Sequence, residues 1–324
     1  MPTFNEVTTS EEVIAAFAPQ VKGRTFVITG ASEQSLGGNT ARVLASASPA
    51  HIVLVSRTQK NVEPVLEAIK STDGSIKTTF VQCDLSDHDS VRAAASKVLD
   101  AAPSIDVLIN TAGNMAILEY TKDKQGIEMQ LSGNHLGHFL LTNLLVPGLL
   151  AAASKTNDAR VVNYTSQGYR VSPFHFEDWN FSDGKTYNMW TAYGQAKTAN
   201  VLFSWGITNR LKPRGVTSTA LHPGVIWGTG LGTHLTPESY ASVDEVCKKN
   251  TGREMTWDLP QTKSLTQGTA TGLIAALDPS LPTKSPAYLT NCDIQEPMEF
   301  ARDPEQVEKL WKLSEKLVKQ EFAY

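Results

Sequence analysis

The sequence predicts an α/β fold in which a parallel sheet is covered by helices on both faces. Short β-branched runs alternate with helix-length amphipathic segments over most of the 324 residues. Parallel strands joined in this way form right-handed βαβ units, which gives a doubly wound sheet. The runs predicted as strands are residues 25–29, 51–55, 77–82, 105–110, 160–165, 216–221 and, more weakly, 287–289.

Capping residues and prolines predict where the longer helices begin and end. Residues 8–12 form a capping-box sequence for a short helix that ends at Phe17, so residues 1–20 are expected to form an N-terminal extension packed on a main domain. The alternation of strands and helices loosens after Gly224, and residues 225–263 are predicted to form a small covering lobe. The longer helices are predicted at 126–154, bent or stopped at Pro147, at 189–211, at 264–277 and at 304–318.

Composition and charge exclude several classes of protein. The 29 basic and 33 acidic residues give a formal charge of −4 without a basic stripe, so nucleic acid is not expected as a partner. The three cysteines lack the spacing of a zinc site, which predicts no metal and a reducing compartment. The N-terminus lacks the pattern of a secretory signal, so a cytoplasmic location is expected. The apolar stretch 138–153 is too short to span a bilayer and predicts a buried helix.

A glycine-rich turn follows the first predicted strand, in the sequence Thr29-Gly-Ala-Ser-Glu-Gln-Ser-Leu-Gly-Gly38. Glycines at a strand-to-helix turn let the backbone approach a pyrophosphate at the positive end of a helix, as in Rossmann-like domains. Arg57 follows the second strand, where an acidic residue would instead bind the ribose hydroxyls of NAD(H). A guanidinium accommodates a 2′-phosphate, so the sequence favours NADP(H) as cofactor.

Tyr193 and Lys197 are four residues apart in a predicted helix, downstream of a strand that ends at Ser166. Residues at this spacing share a helix face, so the ammonium can favour ionisation of a phenol whose ordinary pKa is about 10. Tyr120 and Lys124 have the same spacing. That second pair lies in a polar segment without a preceding strand ending in serine, which predicts solvated surface.

Together these residues resemble the short-chain dehydrogenase/reductase family along nearly the whole chain. The order and spacing of the matching positions carry the resemblance: Thr29-Gly30-Ala31-Ser32, Cys83-Asp84-Leu85, Asn110-Thr111-Ala112-Gly113, Asn134, Ser166, Tyr193 with Lys197, and His222-Pro223-Gly224. The sequences at 166–193, 192–203 and 220–225 most resemble the retinol dehydrogenase-like branch, including its fungal members. Residues 21–324 are then a dinucleotide-binding catalytic domain, with 225–263 as its substrate-covering lobe.

The resemblance implies a reaction centre made of four side chains. Tyr193 exchanges a proton with the carbonyl or alcohol oxygen, Lys197 lowers the pKa of the phenol and holds the nicotinamide ribose, and Ser166 donates a hydrogen bond to the substrate oxygen. Asn134 corresponds to the residue that holds a water connecting Lys197 to solvent. His222 is expected to be structural.

The resemblance also implies a cofactor site that includes both turns described above and Asp84, which would fix the adenine. Asp84 is alternatively a helix N-terminal residue next to Ser86 and Asp87, and both can be true. The full set is Gly30, Ser32, Ser35, Leu36, Gly37, Arg57, Asp84, Leu85, Asn110, Ala112, Gly113, Tyr193, Lys197, Pro223, Gly224, Val225 and Thr229.

Two positions in this set depart from the family pattern. Ser35 stands where relatives have their middle glycine, and its hydroxyl would donate to a phosphate or its Cβ would push the cofactor away. The threonine that touches the nicotinamide amide in relatives falls on Gly228, with Thr229 adjacent.

The predicted function is hydride transfer between NADP(H) and a ketone, aldehyde or secondary alcohol. Apolar and aromatic candidates for substrate contact suit a bulky, weakly charged compound, although each could equally be core packing; they are Met115, Phe174, Trp179, Trp227, Leu231 and His234. Two alternatives stay open: a cofactor-binding sensor or scaffold with weak catalysis, motivated by Ser35, and reduction of a C=C or C=N bond. Relatives associate through the helices beginning near 126 and 189, which implies a homodimer or homotetramer.

Overall fold

The order of the strands shows that the chain winds first towards one edge of the sheet and then, starting again from the middle, towards the other edge. The computed structural model describes residues 3–260 and 262–324. Their strands lie in the order β3-β2-β1-β4-β5-β6-β7-β8, with β8 antiparallel to β7 and all other neighbours parallel. The strands are β1 Thr25–Thr29, β2 His51–Ser56, β3 Lys77–Gln82, β4 Val107–Asn110, β5 Ala159–Tyr164, β6 Val216–His222, β7 Ala287–Thr290 and β8 Asp293–Gln295.

Helices cover both faces of this sheet, as predicted. One face carries α4, α6, α7 and α12 over a core that includes Phe139 and Leu202. The other carries α1, α2, α3 and α10 over a core that includes Phe26 and Leu273. The helices are α1 Ser10–Phe17, α2 Leu36–Ala45, α3 Glu63–Thr72, α4 His88–Ala101, α5 Met129–Leu131, α6 Gly137–Thr156, α7 Met189–Leu211, α8 Pro237–Ala241, α9 Val243–Thr251, α10 Leu265–Leu277, α11 Leu281–Lys284 and α12 Pro304–Val318.

The reversal of winding creates a crevice at the carboxyl ends of β1 and β4. The helix that follows β1 packs on one face, whereas the helix that follows β4 packs on the other. Ligands of open α/β sheets bind where the winding reverses in this way. The fold therefore places the glycine-rich turn after β1 and residues 111–114 after β4 on either side of one crevice.

Local capping explains the helices that the sequence predicts most accurately. Thr9 and Glu12 form the predicted capping box of α1. Asn188 caps α7 by accepting hydrogen bonds from the backbone N–H groups of Trp190 and Thr191. Helix α7 ends at Leu211 and is followed by Gly215 at φ +79°. Its bounds equal the predicted ones, which fixes the register of the tyrosine and lysine it carries.

The prediction of one long helix over 126–154 is wrong in two respects. The helical run begins at Met129 and contains a π-helical turn over Ser132–Leu136 before α6. Of the two outcomes predicted at Pro147, a bend or a stop, the stop is wrong, because α6 continues through Pro147 to Thr156. Pro147 is exposed on the outer side of α6, and packing of the opposite side on the sheet and α4 outweighs the loss of one backbone hydrogen bond.

The same helical run is apolar enough to cross a membrane by length and composition alone. Within the structure, 78% of its most apolar 18-residue window is buried. Its contacts with β5 and α4 are those of a core helix. This matches the buried helix that the sequence predicts.

Candidate active site

The glycine-rich turn after β1 packs so closely that side chains are excluded from it. A Cβ on Gly30, which has φ +68°, would lie 2.7 Å from Cα of Ala112. A Cβ on Gly37 would lie 2.8 Å from the Gly30 carbonyl oxygen. Gly38, which the sequence analysis did not select, is tighter, since its Cβ would lie 2.1 Å from the carbonyl oxygen of Ser32. These glycines are therefore required by the packing of the turn against its own backbone and against Ala112.

Ser35 is the N-cap of α2 and closes this turn from within. Its Oγ accepts a hydrogen bond from the N–H of Gly38 at 3.0 Å and lies 2.7 Å from the carbonyl oxygens of both Gly30 and Ser32. A hydroxyl has one proton, which these carbonyls engage. The hydroxyl therefore stabilises the turn. This explains the presence of Ser35 without requiring it to donate to a phosphate or to push the cofactor away.

We expect Ser35→Ala to lower the free energy of unfolding by about 1 kcal/mol, because an N-cap and the carbonyl contacts of the turn are both lost. Chemical denaturation measures the effect. Ser46→Ala is the matched control, since Ser46 lies at the exposed C-terminal end of the same helix and bonds only to the carbonyl of Val43. Equal destabilisation by both variants would contradict the capping role.

Arg57 and Asp84, which are expected to bind the adenosine part of the cofactor, follow the ends of β2 and β3. Arg57 is exposed and forms no ion pair within the described part of the chain. Asp84 Oδ1 accepts hydrogen bonds from the backbone and side chain of Ser86. Asp87 is the N-cap of α4, so Asp84 is not the residue that begins this helix. Leu85 packs its carbonyl against Gly137, where a Cβ would lie 2.2 Å away.

The turn after β4 is held by a buried network that the sequence analysis missed. Thr29 Oγ1 accepts hydrogen bonds from the N–H groups of Thr111 and Ala112 and bonds to His138 Nε2 at 2.9 Å. His138 Nδ1 faces the carbonyl of Asn134, so it carries the proton and Nε2 accepts from Thr29. Burial lowers the pKa of His138 to about 4, which keeps the ring neutral.

Asn110 points away from the crevice. Its Nδ2 donates to Thr142 Oγ1 at 3.0 Å and to Asn163 Oδ1 at 2.8 Å, both in the buried layer beneath α6. The side chain therefore belongs to the core, and only the backbone at this position borders the expected cofactor site.

Asn134 lies in the π-helical turn and is bound on three sides by Asn114. Its Oδ1 accepts from the N–H of Asn114, and its Nδ2 donates to the carbonyl and to Oδ1 of the same residue. Both amide donors are occupied, so only the oxygen retains capacity for a water molecule. π-turns commonly occur at functional sites. Asn114 was outside the predicted site, and its pairing depends on a helix distortion that sequence periodicity does not show.

Ser166 and Tyr193 meet at Gly168. A Cβ on Gly168 would lie 2.7 Å from Cε1 of Tyr193 and 3.3 Å from Oγ of Ser166, and that Oγ accepts from the Gly168 N–H at 3.0 Å. Tyr193 is 3% exposed. Burial raises the pKa of Tyr193 to about 12, and hydrogen bonding by Ser166 opposes the rise. The phenol is therefore protonated near neutral pH, and the lowering of its pKa that the sequence predicts from Lys197 is not found, because burial is the dominant effect.

Lys197 approaches the same centre from one turn further along α7. Its Nζ lies 5.7 Å from the ring centroid of Tyr193 and donates to the carbonyl of Tyr164 at 3.3 Å. A Cβ on Gly113 would contact both Lys197 Nζ, at 3.4 Å, and Asn134 Oδ1, at 2.7 Å. Burial lowers the pKa of Lys197 to about 8. The structure thus gathers Asn134, Ser166, Tyr193 and Lys197 around the mouth of the crevice.

The second tyrosine and lysine pair has none of these features. Tyr120 and Lys124 lie in a loop, with the Tyr120 hydroxyl donating to the carbonyl of Asn180 and the exposed Lys124 paired with Asp87. Their spacing does not place them on one helix face.

Comparison with known proteins agrees with this geometry. The family model described as short chain dehydrogenase matches residues 24–179. Retinol dehydrogenase 12 from Mus musculus is 34% identical over 297 residues, covering 91% of this chain and 86% of that protein. Oxidoreductase fscI from Fusarium equiseti is 32% identical over 246 residues, covering 69% and 95%. A crystal structure of a Mycobacterium paratuberculosis protein has a TM-score of 0.62 at 29% identity and covers 95% and 98%.

The chain belongs to the short-chain dehydrogenase/reductase family. The similarity over most of its length places it in the retinol dehydrogenase-like branch. This is a family of oxidoreductases whose fold uses a nicotinamide cofactor. The eight-stranded sheet is accordingly the Rossmann-like sheet of this family.

In this short-chain dehydrogenase, the segment after β6 packs against Lys263. Gly224 has φ +96°, and a Cβ there would lie 2.7 Å from the side chain of Lys263. The carbonyl of Val225 accepts from the N–H of Lys263 at 2.8 Å. Gly228 has φ +84° and open space around it, with the partly exposed Thr229 beside it. His222, at the end of β6, is buried, and neither ring nitrogen has a partner among the described residues.

The covering lobe contacts Tyr193 through a row of aromatic rings. Trp190 lies between Tyr193 and Tyr240, at centroid distances of 6.3 and 5.3 Å, and Trp227 packs on Tyr240 at 6.1 Å. Trp227 is 65% exposed. The aromatic row extends from the reaction centre to the outer surface of the lobe.

Four of the six substrate candidates lie in or against this lobe. Met115 Cε would be 2.6 Å from a Cβ on Gly232, and His234 Nε2 lies 3.1 Å from the carbonyl of Ala116. Leu231 is 43% exposed. Trp227 completes this group through its contact with Tyr240.

Phe174 and Trp179 are not brought to the lobe. Phe174 is 6% exposed and packs on Phe176 within the core formed by α4, α6, α7 and α12. Trp179 packs against the same core, and its carbonyl accepts from Gln195. Core packing explains both residues.

Proposed function

We propose that the chain is an NADP(H)-dependent enzyme that transfers a hydride between the nicotinamide and a ketone, aldehyde or secondary alcohol. The convergence of Ser166 and Tyr193 on Gly168, with Lys197 one helical turn away, carries this proposal. Ser35 in the glycine turn motivated the alternative of a sensor or scaffold with weak catalysis. Its role as a helix cap explains why this serine is present. Catalysis is therefore the better hypothesis.

Each side chain has a role that its environment supports. The bound nicotinamide would supply or accept the hydride. Burial holds the pKa of the Tyr193 phenol near 12, so the phenol is protonated at neutral pH and can donate a proton to a carbonyl oxygen as negative charge develops there during reduction. Ser166 Oγ, beside the same ring, can donate a hydrogen bond to that oxygen. Lys197 is mostly charged at neutral pH and favours the phenolate that remains after proton transfer.

The lining of the lobe supports a bulky apolar substrate. Buried apolar side chains of the lobe pack in one cluster with Tyr193 and Trp190, and they include Val243, Val246 and Met255. Apolar walls around a few polar groups are typical of sites for poorly charged ligands. Retinol dehydrogenase 12, a relative, carries the name of such a substrate. We infer that the substrate is an apolar or aromatic carbonyl compound or its alcohol.

The function is tested by following NADPH oxidation with a panel of compounds at fixed enzyme concentration. The panel contains aromatic ketones, long-chain aldehydes, enones that report C=C reduction and cyclic imines that report C=N reduction. Turnover of ketones or aldehydes to alcohols supports the proposal. Product analysis showing only saturated ketones or amines would assign one of the other reductions, and NADPH binding without any turnover would favour a sensor.

We expect Arg57→Ala to raise KM for NADPH by about 10-fold and to leave KM for NADH within about twofold, because a charge-assisted contact to the 2′-phosphate is lost. Steady-state kinetics with each cofactor measures this preference. Lys60→Ala is a suitable control, since Lys60 is an exposed cation in the 3₁₀ turn just after the same strand. An equal rise for both cofactors in Arg57→Ala would contradict the proposed NADP(H) preference.

A further inference from the structure

The C-terminal part of the covering lobe is joined to the segment that carries Ser166 by one partly buried carboxylate, that of Asp258. Asp258 Oδ1 pairs with Arg170 Nη1 at 2.7 Å, and its Oδ2 accepts from Thr290 Oγ1 at 2.8 Å. The N–H of Asp258 donates to Gln167 Oε1 at 2.9 Å. We call these residues, Asp258 with Gln167, Arg170 and Thr290, the Asp258 junction. It connects the lobe, the turn after Ser166 and the end of β7.

The turn that this junction holds determines where the Ser166 hydroxyl lies. Gln167 and Arg170 belong to the 3₁₀ turn Gln167–Val171, whose N-cap is Ser166. Arg170 Nη1 also donates to the carbonyl of Thr256, so the lobe backbone is bound at a second point. Asn250, in α9, donates to the carbonyl of Val171 at the end of the same turn. Movement of the lobe would therefore move the turn and the hydroxyl together.

Asp258 is the carboxylate that pairs with Arg170 in this region. The side chains of both residues are each 16% exposed. Burial keeps the imidazole of the nearby His222 neutral, with a pKa near 3, and the charge of Asp258 opposes this shift. Lys263 is 6% exposed, and its Nζ has no partner among the described residues. Neutralising Asp258 would leave Arg170 without its counter-charge, and a largely buried cation deprived of its partner is strongly unfavourable.

We propose that Asp258 is a positioning residue that sets the Ser166 hydroxyl relative to substrate held under the lobe. The inference rests on the proposed oxidoreductase function, because Ser166 is assigned there to the substrate oxygen. Asp258 itself lies behind the turn and acts through Gln167 and Arg170. Misplacement of a catalytic group by about 1 Å can lower the rate by about 100-fold.

Two variants that disrupt the Asp258 junction to different extents test its role. Asp258→Asn removes the charge, whereas Gln167→Met removes only the bond from the lobe backbone and leaves no charge unpaired. We expect kcat for carbonyl reduction to fall by about 10- to 100-fold in Asp258→Asn and by about fivefold in Gln167→Met, with the dissociation constant for NADPH within about twofold of the parent. The double variant should lose less than the product of the single losses, because both act through one turn.

Glu308→Gln is the matched control. Glu308 forms an ion pair of the same 2.7 Å length with Arg210 on the surface of α12 and α7, and it should change kcat by less than about twofold. The proposal would be overturned if Gln167→Met and Asp258→Asn both bind NADPH, unfold cooperatively and retain kcat within about twofold of the parent. A loss of kcat in Asp258→Asn that is matched by an equal loss in NADPH affinity would also overturn it.

Hydrogen exchange separates this inference from the proposed function. The N–H groups of Gly168 and Tyr169 are bonded to Ser166 Oγ and to its carbonyl oxygen. We expect Asp258→Asn to speed exchange at both amides by at least about tenfold, with no such change in Glu308→Gln. If Asp258→Asn leaves hydrogen exchange at both amides unchanged, the role proposed for the Asp258 junction is wrong even if the parent is an active reductase. An inactive parent whose Asp258→Asn variant shows faster exchange retains the junction and removes only its assignment to carbonyl reduction.

Discussion

Replacing Tyr193 with phenylalanine should lower kcat for carbonyl reduction by about 10²- to 10⁴-fold, because the proton donor is removed from the reaction centre. The ring should stay in place, since Trp190 and the backbone of Gly168 pack against it rather than against the hydroxyl. We expect the dissociation constant for NADPH to change by less than about tenfold, because Lys197 and the glycine turn remain. Single-turnover kinetics and cofactor titration measure the two quantities separately.

Tyr120→Phe is the control for this experiment. Tyr120 has the same spacing to a lysine, but its hydroxyl donates to the carbonyl of Asn180 in a loop. It should retain kcat within about twofold, and its loss of one part-buried hydrogen bond should cost about 1 kcal/mol of stability. Tyr193→Phe with more than a tenth of the parental kcat would rule out the proposed acid, and an equal loss in both variants would indicate a general effect of removing a tyrosine hydroxyl.

The sequence predicts well those parts of the fold that depend on local patterns. Helix α7 has a capping asparagine at one end and a glycine after the other, so its bounds and the register of Tyr193 and Lys197 follow from the sequence alone. Strands β1 and β3 also match their predicted bounds. In each case residues next to one another in the chain determine the outcome.

The sequence predicts poorly what depends on contacts between distant segments. Strand β8 is three exposed residues, and only pairing with β7 makes it a strand. Hydrophobic periodicity does not reveal the π-turn around Asn134. Such a turn inserts one residue into the helix, and in a buried helix the neighbouring residues are apolar on every side. Pro147 predicts a helix end, but tertiary packing keeps α6 continuous. Local propensity is overridden wherever a buried surface contributes more stability than one hydrogen bond.

The candidate site shows the same division. Motif positions such as Gly30, Gly37, Ser166 and Tyr193 lie at the crevice and its mouth, because the order of the strands and helices brings them there. Other site positions are held by residues distant in sequence, since Thr29 bonds to His138 and Asn134 bonds to Asn114. Asp258 is a further example, since only the folded lobe brings it to Gln167 and Arg170.

Lys197 should give carbonyl reduction an alkaline limit near pH 8. Burial lowers the pKa of this ammonium to about 8, so the charged form that supports ionisation of Tyr193 predominates below that pH and is lost as the pH rises through it. We expect kcat/KM to be level below this value and to fall about tenfold per pH unit above it, because kcat/KM reports ionisations of the free enzyme. Tyr193, with a pKa near 12, stays protonated throughout this range and does not produce the limit.

Lys197→Met and Lys197→Arg assign that limit to the lysine. The methionine variant should lose about 10²-fold or more in kcat and show no ionisation near pH 8, since neither charge nor titratable group remains. The arginine variant keeps a permanent charge, so its residual activity should extend to higher pH. Lys124→Met is the control, because Lys124 is exposed and pairs with Asp87 far from the centre, and its pH profile should equal that of the parent. A limit near pH 8 that persists in Lys197→Met would transfer the ionisation to another group and remove the electrostatic role proposed for this lysine.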